Sequence, residues 1–520
     1  MISWFSKSFD HCDRHMDMVI SDWKQKLARY LPWLDVAVAL TLSIIVLYTC
    51  SKHEPWADEA ETWVEVRDLP YLRLVFGELR YAGHLPLWHT VVSIPMHLFH
   101  LPYGDFVFIG GACAVLGLSV LVFLAPFPRL LRYIIAASFF FLYQYAVVAR
   151  PYVLMPLFAF LAAHFYRQGL PRIIPFAIAL ALLILNSTYA TVLGFSFACI
   201  YALQLLQRWK QVSVQDRKRI LYAACIISAS LVFVVIVLFP KSDSSLIQDS
   251  VNHTMARRLY LVAEGMTGAF AEGMWPAVPL LVLASIWAFL RRSSLLLLAT
   301  LGSTSFWYGF VRGFGHHQGL ITIAFVMFLW AAWPTGKQRA DFRPFHKALH
   351  FAFLAVLLAM FAWHCSWSLH AIRGDWAGPY SGAKDAAAYL KSVHAEEEGC
   401  NGYGFWSVAV QPYFDRNIFL NHGGPAAPAF HHFGVAFEWR VNHLEEWEAR
   451  NGPPFIVFAL EDPQAAAVVR SDIESWDYRL VHVADGNRFF KSGPGVHSLY
   501  LVFERTDHWL RHQGMANASK

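Results

Sequence analysis

Apolar runs that approach the thickness of a bilayer recur along the first 370 residues, and they constrain the fold more than any other feature. The chain is 56% hydrophobic and only 15% charged, whereas soluble domains carry about 25% charged residues. A spanning helix needs about 20 apolar residues, and several of these runs are shorter, which favours tilted or partial crossings. The pattern predicts a polytopic α-helical membrane protein with about 11–12 transmembrane helices. The runs fall at about 34–50, 105–126, 133–149, 151–166, 173–189, 190–206, 220–240, 276–290, 295–311, 319–333 and 348–368.

The charged loops between these runs predict how the chain is oriented. Basic residues cluster in five loops, which the positive-inside rule places in the cytoplasm. The loop 51–104, the loop around Arg150 and the tail then lie outside, on the periplasmic side if the host is bacterial. The net charge of +5 is spread over loops, so we expect no nucleic-acid partner. The clusters are Arg129/Arg132, Arg167/Arg172, Arg208–Arg219, Arg291/Arg292 and Lys337–Lys347.

Composition divides the chain into three predicted parts: a cytoplasmic segment 1–32, a transmembrane catalytic domain 33–370 that includes the outer loop 51–104, and a soluble domain 371–520. The last part is rich in polar, Gly and Pro residues. A predicted helix at 381–394 is followed by strand-like runs, which indicates a small C-terminal α/β domain. The runs fall at 455–460, 478–483 and 498–503.

The segment 84–100 is apolar enough to form a helix, yet it contains several His and two Pro residues. If it crossed fully, Arg129 and Arg132 would lie outside. We therefore predict a partial or interfacial helix. The alternative is that it crosses and that one short run near 133–166 does not.

An acidic stretch follows the first apolar run. Asp58 and Glu59 are adjacent, and Asp58, Glu61, Glu65 and Asp68 recur at helical spacing. This pattern predicts a helix over 58–80 that lies in the interface plane. Asp58 and Glu59 are candidates for a general base and its metal-binding or orienting partner. Alternatively, both are solvated charges that favour a helix N-terminus.

Further candidates for binding follow on the same predicted face. His84 could bind a phosphate or a metal, or be structural. Arg150, which precedes Tyr152 between two apolar runs, needs an anionic partner, either a carboxylate of the acidic loop or a lipid phosphate. The short loop of Arg312, His316 and His317 suits a phosphate or metal pocket, or is a polar turn.

Together these segments resemble the GT-C membrane glycosyltransferases, with the closest likeness to the family 39-like branch of protein O-mannosyltransferases and aminoarabinose lipid A transferases. The likeness covers roughly residues 30–370. It is carried by Asp58-Glu59-Ala60, Gly83-His84-Leu85-Pro86-Leu87, Ala149-Arg150-Pro151-Tyr152 and the loop 312–319. Leu85 stands where relatives carry a proline, and the segment 104–109 lacks their arginine.

The resemblance implies an inverting transfer of a sugar from a polyprenyl-phosphate donor to a lipid, glycan or protein acceptor at the outer membrane face. It implies that Asp58 is the general base and Glu59 its acidic neighbour. Arg150, Tyr152, His84, Arg312, His316 and His317 are the candidates for binding the substrate phosphate. A divalent metal held by Asp58, Glu59, His84 or His316 stays open, as do two other functions, a flippase and a non-catalytic binder of lipid-linked saccharides.

Overall fold

The computed structural model describes residues 30–239, 241–245, 253–311, 313–445, 449 and 451–511. The predicted segment 1–32 therefore lies almost entirely outside the described residues, as does Arg312. Five described helices are long and apolar enough to cross a membrane. The chain is thus an integral membrane protein. These helices are Tyr30–Cys50, Tyr103–Leu124, Thr188–Gln207, Val214–Val237 and Pro344–Ala377.

Other predicted runs form shorter or interrupted helices. The run 133–149 continues only to Ala136, makes a π-helical turn at Phe140–Gln144 and then leaves helical geometry. Every residue from Phe139 to Tyr152 is buried, so this irregular backbone is shielded from lipid by protein. The number of full crossings stays a prediction. The shorter elements are Arg129–Ala136, Pro151–Leu154, Met155–Gln168, Leu170–Ile184, Trp209–Gln211, Met255–Gly268, Trp275–Leu290, Ser294–Leu297, Leu298–Gly302, Ser303–Phe310, Gly315–His317, Gln318–Ala332 and Gly336–Ala340.

The helical bundle has two distinct ends. Helix Pro344–Ala377 starts beside the basic loops and finishes with Asp375 next to His53, and its 34 residues span roughly 50 Å at 1.5 Å per residue. We call these the basic end and the Asp58 end. At the basic end, Arg129 Nε bonds both carboxylate oxygens of Asp35 at 3.1 Å.

The region 51–104 folds over the Asp58 end. Its elements are Ala57–Asp68, Tyr71–Arg73, Leu74–Glu78, Leu79–Ala82 and Pro86–Phe99. The prediction of one interfacial helix over 58–80 was wrong. The helix Ala57–Asp68, which we call the acidic helix, ends before Pro70, and Glu59 to Val66 are all buried. It is buried because the C-terminal part of the chain covers its acidic face, through contacts to Glu61 and Asp68.

Helix Pro86–Phe99 has 14 residues, too few for the roughly 20 needed to cross. Both ends stay near the acidic helix: His89 contacts Glu65, and His97 lies 3.1 Å from the carbonyl oxygen of Val66. This agrees with the prediction of a partial helix. Exposed Leu98 and Phe99 give its end an apolar surface.

The C-terminal part contains a four-stranded sheet of order β1-β2-β6-β3. Strand β1 pairs parallel with β2, and β6 is antiparallel to both of its neighbours. Three strands lie where the sequence predicted them, whereas β1 and the short β4–β5 pair were not predicted. The strands are β1 Cys400–Tyr403, β2 Phe455–Leu460, β3 Tyr478–Ala484, β4 Asn487–Arg488, β5 Val496–His497 and β6 Leu499–Arg505.

Helices flank this sheet, and the first of them, Ala383–Ser392, agrees with the predicted helix at 381–394. Together with the sheet they form the small α/β part that the composition predicted. The others are Ala395–Glu398, Phe405–Tyr413, Leu420–His422, Gly424–Ala426, Val435–Asn442 and Pro463–Ser475.

The hydrophobic core runs without interruption from the helical bundle into the C-terminal part. The segment from β4 to β5, which we call the β4–β5 hairpin, inserts Phe489 and Phe490 against the bundle. Phe489 packs on Gly374, where a Cβ would clash with its ring, and Phe490 packs edge-on against Phe139 at 5.5 Å. The two parts are therefore joined by apolar burial at the Asp58 end.

Candidate active site at the Asp58 end

An ion pair joins two of the predicted site residues. Asp58, in the first turn of the acidic helix, places Oδ2 2.9 Å from Nη1 of Arg150. The Asp58 side chain stays 20% exposed, whereas Arg150 is 9% exposed. The guanidinium also lies over the rings of Tyr152 at 5.3 Å and Trp56 at 6.0 Å. Of the two anionic partners that the sequence left open for Arg150, the structure supplies the carboxylate.

Glu59 points the other way, into a fully buried network. Its Oε2 lies 3.1 Å from Nε2 of His53, and Nδ1 of His53 lies 2.9 Å from Oδ2 of Asp375. Its Oε1 accepts a hydrogen bond of 2.6 Å from the backbone N–H of Ala149. Because Ala149 precedes Arg150, this network fixes both partners of the ion pair relative to the last long helix.

His53 carries a positive charge in this network. Burial alone would lower its pKa, but the carboxylates of Asp375 and Glu59 outweigh burial and raise the pKa of His53 to about 10. Tyr143 adds a hydrogen bond of 3.3 Å to Asp375. Since the oxygens of Glu59 already bond His53, Ala149 and the backbone N–H of Trp56, the environment of Glu59 favours an orienting role.

Tyr152 extends the site from Arg150 to the two predicted histidines. Its hydroxyl lies 2.9 Å from Nε2 of His317, whose ring is 3.1 Å from the Nε2 of His316. Tyr189 approaches the other ring nitrogen of His317 at 3.5 Å. Asp58, Arg150, Tyr152, His317 and His316 thus form one continuous polar line, although their segments are far apart in sequence.

His84 reaches the same region through its backbone. It forms an isolated antiparallel bridge with Ser187, next to the segment that carries Tyr189. Its ring lies 6.2 Å from that of His89, whose Nε2 is 2.9 Å from Oε2 of Glu65. The predicted residues that the structure describes are therefore all brought to the Asp58 end.

Two other carboxylates of the acidic helix attach the C-terminal part, whereas Glu65 contacts His89. Glu61 accepts the backbone N–H of His431 with both oxygens at 3.0 Å, and Asp68 accepts the N–H of Ala429 at 2.7 Å. Burial and the neighbouring carboxylate of Glu65 raise the pKa of Glu61 well above its usual range. Only Asp58, of the four carboxylates on this helix face, stays turned toward the polar line.

The β4–β5 hairpin brings two cations to the Asp58 end that sequence reasoning missed. The guanidinium of Arg488 lies 4.4 Å from the centre of the Trp56 ring, on which Arg150 also rests, and it pairs with Glu461. Lys491 reaches into the bundle beside Gln318. No local pattern in the tail indicates these contacts, because both depend on the docking of a distant hairpin.

Lys491 is buried in a strained position. Its ammonium donates hydrogen bonds of 2.6 Å to Oε1 of Gln318 and to the carbonyl of Gly268. Burial lowers the pKa of Lys491 to about 8, because more distant Glu272 and Glu264 only partly offset the lost hydration. Its φ of 56° is in the left-handed region, which costs a non-glycine residue roughly 1–3 kcal/mol.

Two solved structures are similar to the chain over most of its length. They are the crystal structures of ArnT from Cupriavidus metallidurans, one bound to undecaprenyl phosphate and one in the apo state. Each is 13% identical and covers 91% of this chain and 98% of that chain, with TM-scores of 0.49 and 0.48. No protein-family model and no curated protein sequence matches the chain. At this identity the similarity assigns no family.

The metal candidates do not form a ligand set among the described residues. No group of three or more His, Cys, Asp or Glu side chains there is arranged to hold a metal ion. Asp58 faces a guanidinium, and the oxygens of Glu59 are already bonded to protein groups. These donors do not fit a divalent cation, so we route no step through one.

Proposed function

We propose that the chain is an inverting glycosyltransferase that moves a sugar from a polyprenyl-phosphate donor to an acceptor hydroxyl, with Asp58 as the general base. The observation that carries the proposal is the Asp58–Arg150 ion pair of 2.9 Å at one end of an apolar helical bundle. A partly accessible carboxylate beside a guanidinium supports a substrate that carries both a phosphate and a group to be deprotonated. The resemblance of the sequence motifs to GT-C enzymes supports the same reaction.

Arg150 is the group we assign to the donor phosphate. A guanidinium binds phosphate through two parallel N–H···O bonds, and the rings of Trp56 and Tyr152 hold this one in place. When the phosphate takes over as the counterion of Arg150, Asp58 is released from the pair. Its carboxylate can then accept a hydrogen bond from the acceptor hydroxyl.

Transfer then proceeds by direct displacement at the anomeric carbon. The acceptor oxygen forms its bond on one face as its proton passes to Asp58, and the bond to the phosphate oxygen breaks on the opposite face with its electron pair. The anomeric configuration is thereby inverted and polyprenyl phosphate leaves. Arg150 stabilises the charge that develops on the leaving oxygen. Tyr152 and His317, whose hydroxyl and Nε2 lie 2.9 Å apart, can donate further hydrogen bonds to the phosphate.

Orientation follows from the distribution of charge. Arg129 and Arg291 lie at the end of the bundle opposite Asp58, in loops that the positive-inside rule assigns to the cytoplasm. We therefore propose that Asp58 and the C-terminal part face the outside, which is the periplasm if the host is bacterial. The prenyl chain would lie along the apolar outer surfaces of the spanning helices.

The proposal is tested with purified full-length protein in nanodiscs. A panel of undecaprenyl-phosphate sugars serves as donor, a membrane extract supplies acceptors, and undecaprenyl phosphate is measured by mass spectrometry. Release that depends on the acceptor from at least one donor supports the transferase. If donors bind but none of them releases undecaprenyl phosphate, the chain is a binder and not an enzyme. If intact donor moves across a liposome bilayer and no undecaprenyl phosphate is released, the chain is a flippase and not a transferase.

A further inference from the structure

A cavity lies at the basic end, opposite Asp58. Its volume is about 290 Å³, and it opens to the surface between the end of helix Trp275–Leu290, the short helix Gly336–Ala340 and the start of helix Pro344–Ala377. Helix Pro344–Ala377 separates it from Asp375 by nearly its whole length of 34 residues. The cavity is therefore remote from the site described above. The residues that matter for its chemistry are Trp287, Arg291, Gln338, Asp341, Phe342 and His346.

Arg291 is the main polar group of this cavity. Its Nη2 donates a hydrogen bond of 3.0 Å to Oε1 of Gln338, and its guanidinium lies 5.6 Å from the centre of the Phe342 ring. Its Nε is buried and has no hydrogen-bond partner in the described part of the chain. A buried donor without an acceptor is costly, so the geometry leaves room for an acceptor from a ligand.

No carboxylate that the structure describes neutralises this guanidinium. Arg291 forms no ion pair with any described Asp or Glu, although exposed Asp341 also lines the cavity. Burial lowers the pKa of Arg291, and no carboxylate offsets that effect. Arg167, whose Nη1 donates to the carbonyls of Trp330 and Trp333, is near enough to add to the positive potential. The cavity thus offers a guanidinium that is not held in an ion pair by any described residue.

The surroundings of the cavity are also basic. The segment 334–347 carries four Lys or Arg residues against the single acid Asp341, a net charge of +3 with His346 neutral. All four basic side chains are exposed. Each Lys or Arg near an anionic membrane surface contributes about 1 kcal/mol of attraction. The basic residues are Lys337, Arg339, Arg343 and Lys347.

Apolar side chains border the same cavity. Leu290, Phe342 and Leu349 line it, and the exposed Phe289 and Phe345 are the sequence neighbours of the lining residues Leu290 and His346. Large exposed aromatics on spanning helices face lipid tails or the membrane interface. A ligand that satisfies both the cation and these rings has an anionic head and an apolar body.

We propose that this cavity binds the phosphate group of an anionic membrane lipid. Arg291 donates through Nε and Nη to two phosphate oxygens, as guanidinium groups do with phosphates. The side-chain amide of Gln338 lies beside the same oxygens. The acyl chains pass along Phe289 and Phe345. A bound lipid of this kind would fasten the short helix Gly336–Ala340 to the bundle.

The test is a lipid titration of the full chain in neutral detergent, read by native mass spectrometry. Phosphatidylglycerol is compared with phosphatidylcholine and with inorganic phosphate. The proposal expects saturable binding of phosphatidylglycerol that Arg291→Gln weakens about tenfold or more, because charge-assisted hydrogen bonds are lost. Arg292→Gln is the matched control, since Arg292 is exposed and lies outside the cavity.

Several outcomes decide the proposal. Retained binding in Arg292→Gln with loss in Arg291→Gln supports it, and partial binding in Arg291→Lys supports the role of the fork geometry. An equal loss in both Gln variants overturns it, because diffuse surface charge would then suffice. Inorganic phosphate that competes with the lipid at similar affinity overturns the assignment to a lipid. The melting temperature of lipid-free Arg291→Gln verifies that the variant is folded.

Discussion

Nδ1 of His53 lies 2.9 Å from Oδ2 of Asp375, across 322 positions of sequence. The other ring nitrogen of His53 bonds Glu59, the neighbour of Asp58. One imidazolium therefore ties the start of the acidic helix to the end of the last long helix. Glu59 also accepts a hydrogen bond from the backbone N–H of Ala149, which precedes Arg150. The position of the Asp58–Arg150 pair therefore depends on the contacts of Glu59, which is not part of the pair.

Replacing His53 by Gln should destabilise the protein by about 3–5 kcal/mol, the cost of breaking a buried ion pair from one side. The pKa of His53 is raised to about 10 in the folded state, from about 6.5 in the unfolded chain. Its stabilising contribution is therefore complete below about pH 6.5 and is lost as the pH rises toward 10. Melting temperatures in detergent across this range should fall in the wild type and change less in His53→Gln.

His482→Gln is the control for that experiment. His482 pairs with Asp385 at 3.1 Å, but the Asp385 side chain is 64% exposed. Exposed pairs contribute only about 0–1 kcal/mol, so this variant should melt close to the wild type. If His53→Gln melts like His482→Gln at pH 7, the buried network does not stabilise the site.

Replacing Arg150 by Met should weaken the binding of undecaprenyl phosphate about tenfold or more, because charge-assisted hydrogen bonds to the phosphate are lost. Arg150→Lys should retain part of the affinity, since an ammonium keeps the charge without the fork geometry. Binding is measured by titration of the purified protein. Arg129→Met is the matched control, because Arg129 also pairs with an aspartate, Asp35, at 3.1 Å, but at the basic end of the bundle. A similar loss in both Met variants would show that global damage, not phosphate contact, explains the result.

The contribution of Lys491 to stability should depend on pH in the opposite direction to that of His53. Its pKa is lowered to about 8 in the folded state, from about 10.4 when unfolded. The buried charge therefore costs stability below pH 8, and the cost disappears as the pH rises from 8 toward 10.4. The melting temperature of the wild type relative to Lys491→Met should increase over this interval. The exposed Lys384→Met variant should show no such trend, and a flat difference for Lys491→Met would disprove the buried charge.

Removal of metal ions with a chelator tests whether the reaction requires a divalent cation, a question that the sequence left open. The oxygens of Glu59 are engaged and Asp58 faces Arg150. We therefore expect EDTA to change the rate of transfer by less than about twofold, whereas the loss of a catalytic metal ion would lower the rate much further. The rate is measured before and after dialysis against the chelator. A loss that Mg²⁺ or Mn²⁺ restores would mean that substrate binding rearranges these donors.

Features with a regular local pattern could be predicted from the sequence. The apolar run at 34–50 forms a helix long and apolar enough to cross a membrane, and the β-branched and aromatic run at 455–460 forms β2 over Phe455–Leu460. Strand β1 was missed because Cys400–Tyr403 is short and contains Gly402. The acidic helix was misplaced because its spacing specifies a polar face without specifying what covers that face.

The site was predictable only in part. Asp58 and Arg150 could be selected because charged residues beside apolar runs are costly without a role. His53, Asp375 and Lys491 could not be, since each acts through a partner from another part of the chain and carries no local motif. Asp375 lies inside an otherwise ordinary helix, and Lys491 lies in a hairpin whose docking the sequence does not indicate.

Asp58→Asn, measured for both turnover and binding, tests the central claim most directly. If Asp58 is the general base, release of undecaprenyl phosphate should fall by about 10²–10⁴-fold. Binding of undecaprenyl phosphate should be retained or tightened, because Arg150 loses its counterion. The exposed Asp105→Asn variant, at the start of a neighbouring helix, should behave like the wild type. Turnover at the wild-type rate in Asp58→Asn, with binding intact, would contradict the assignment.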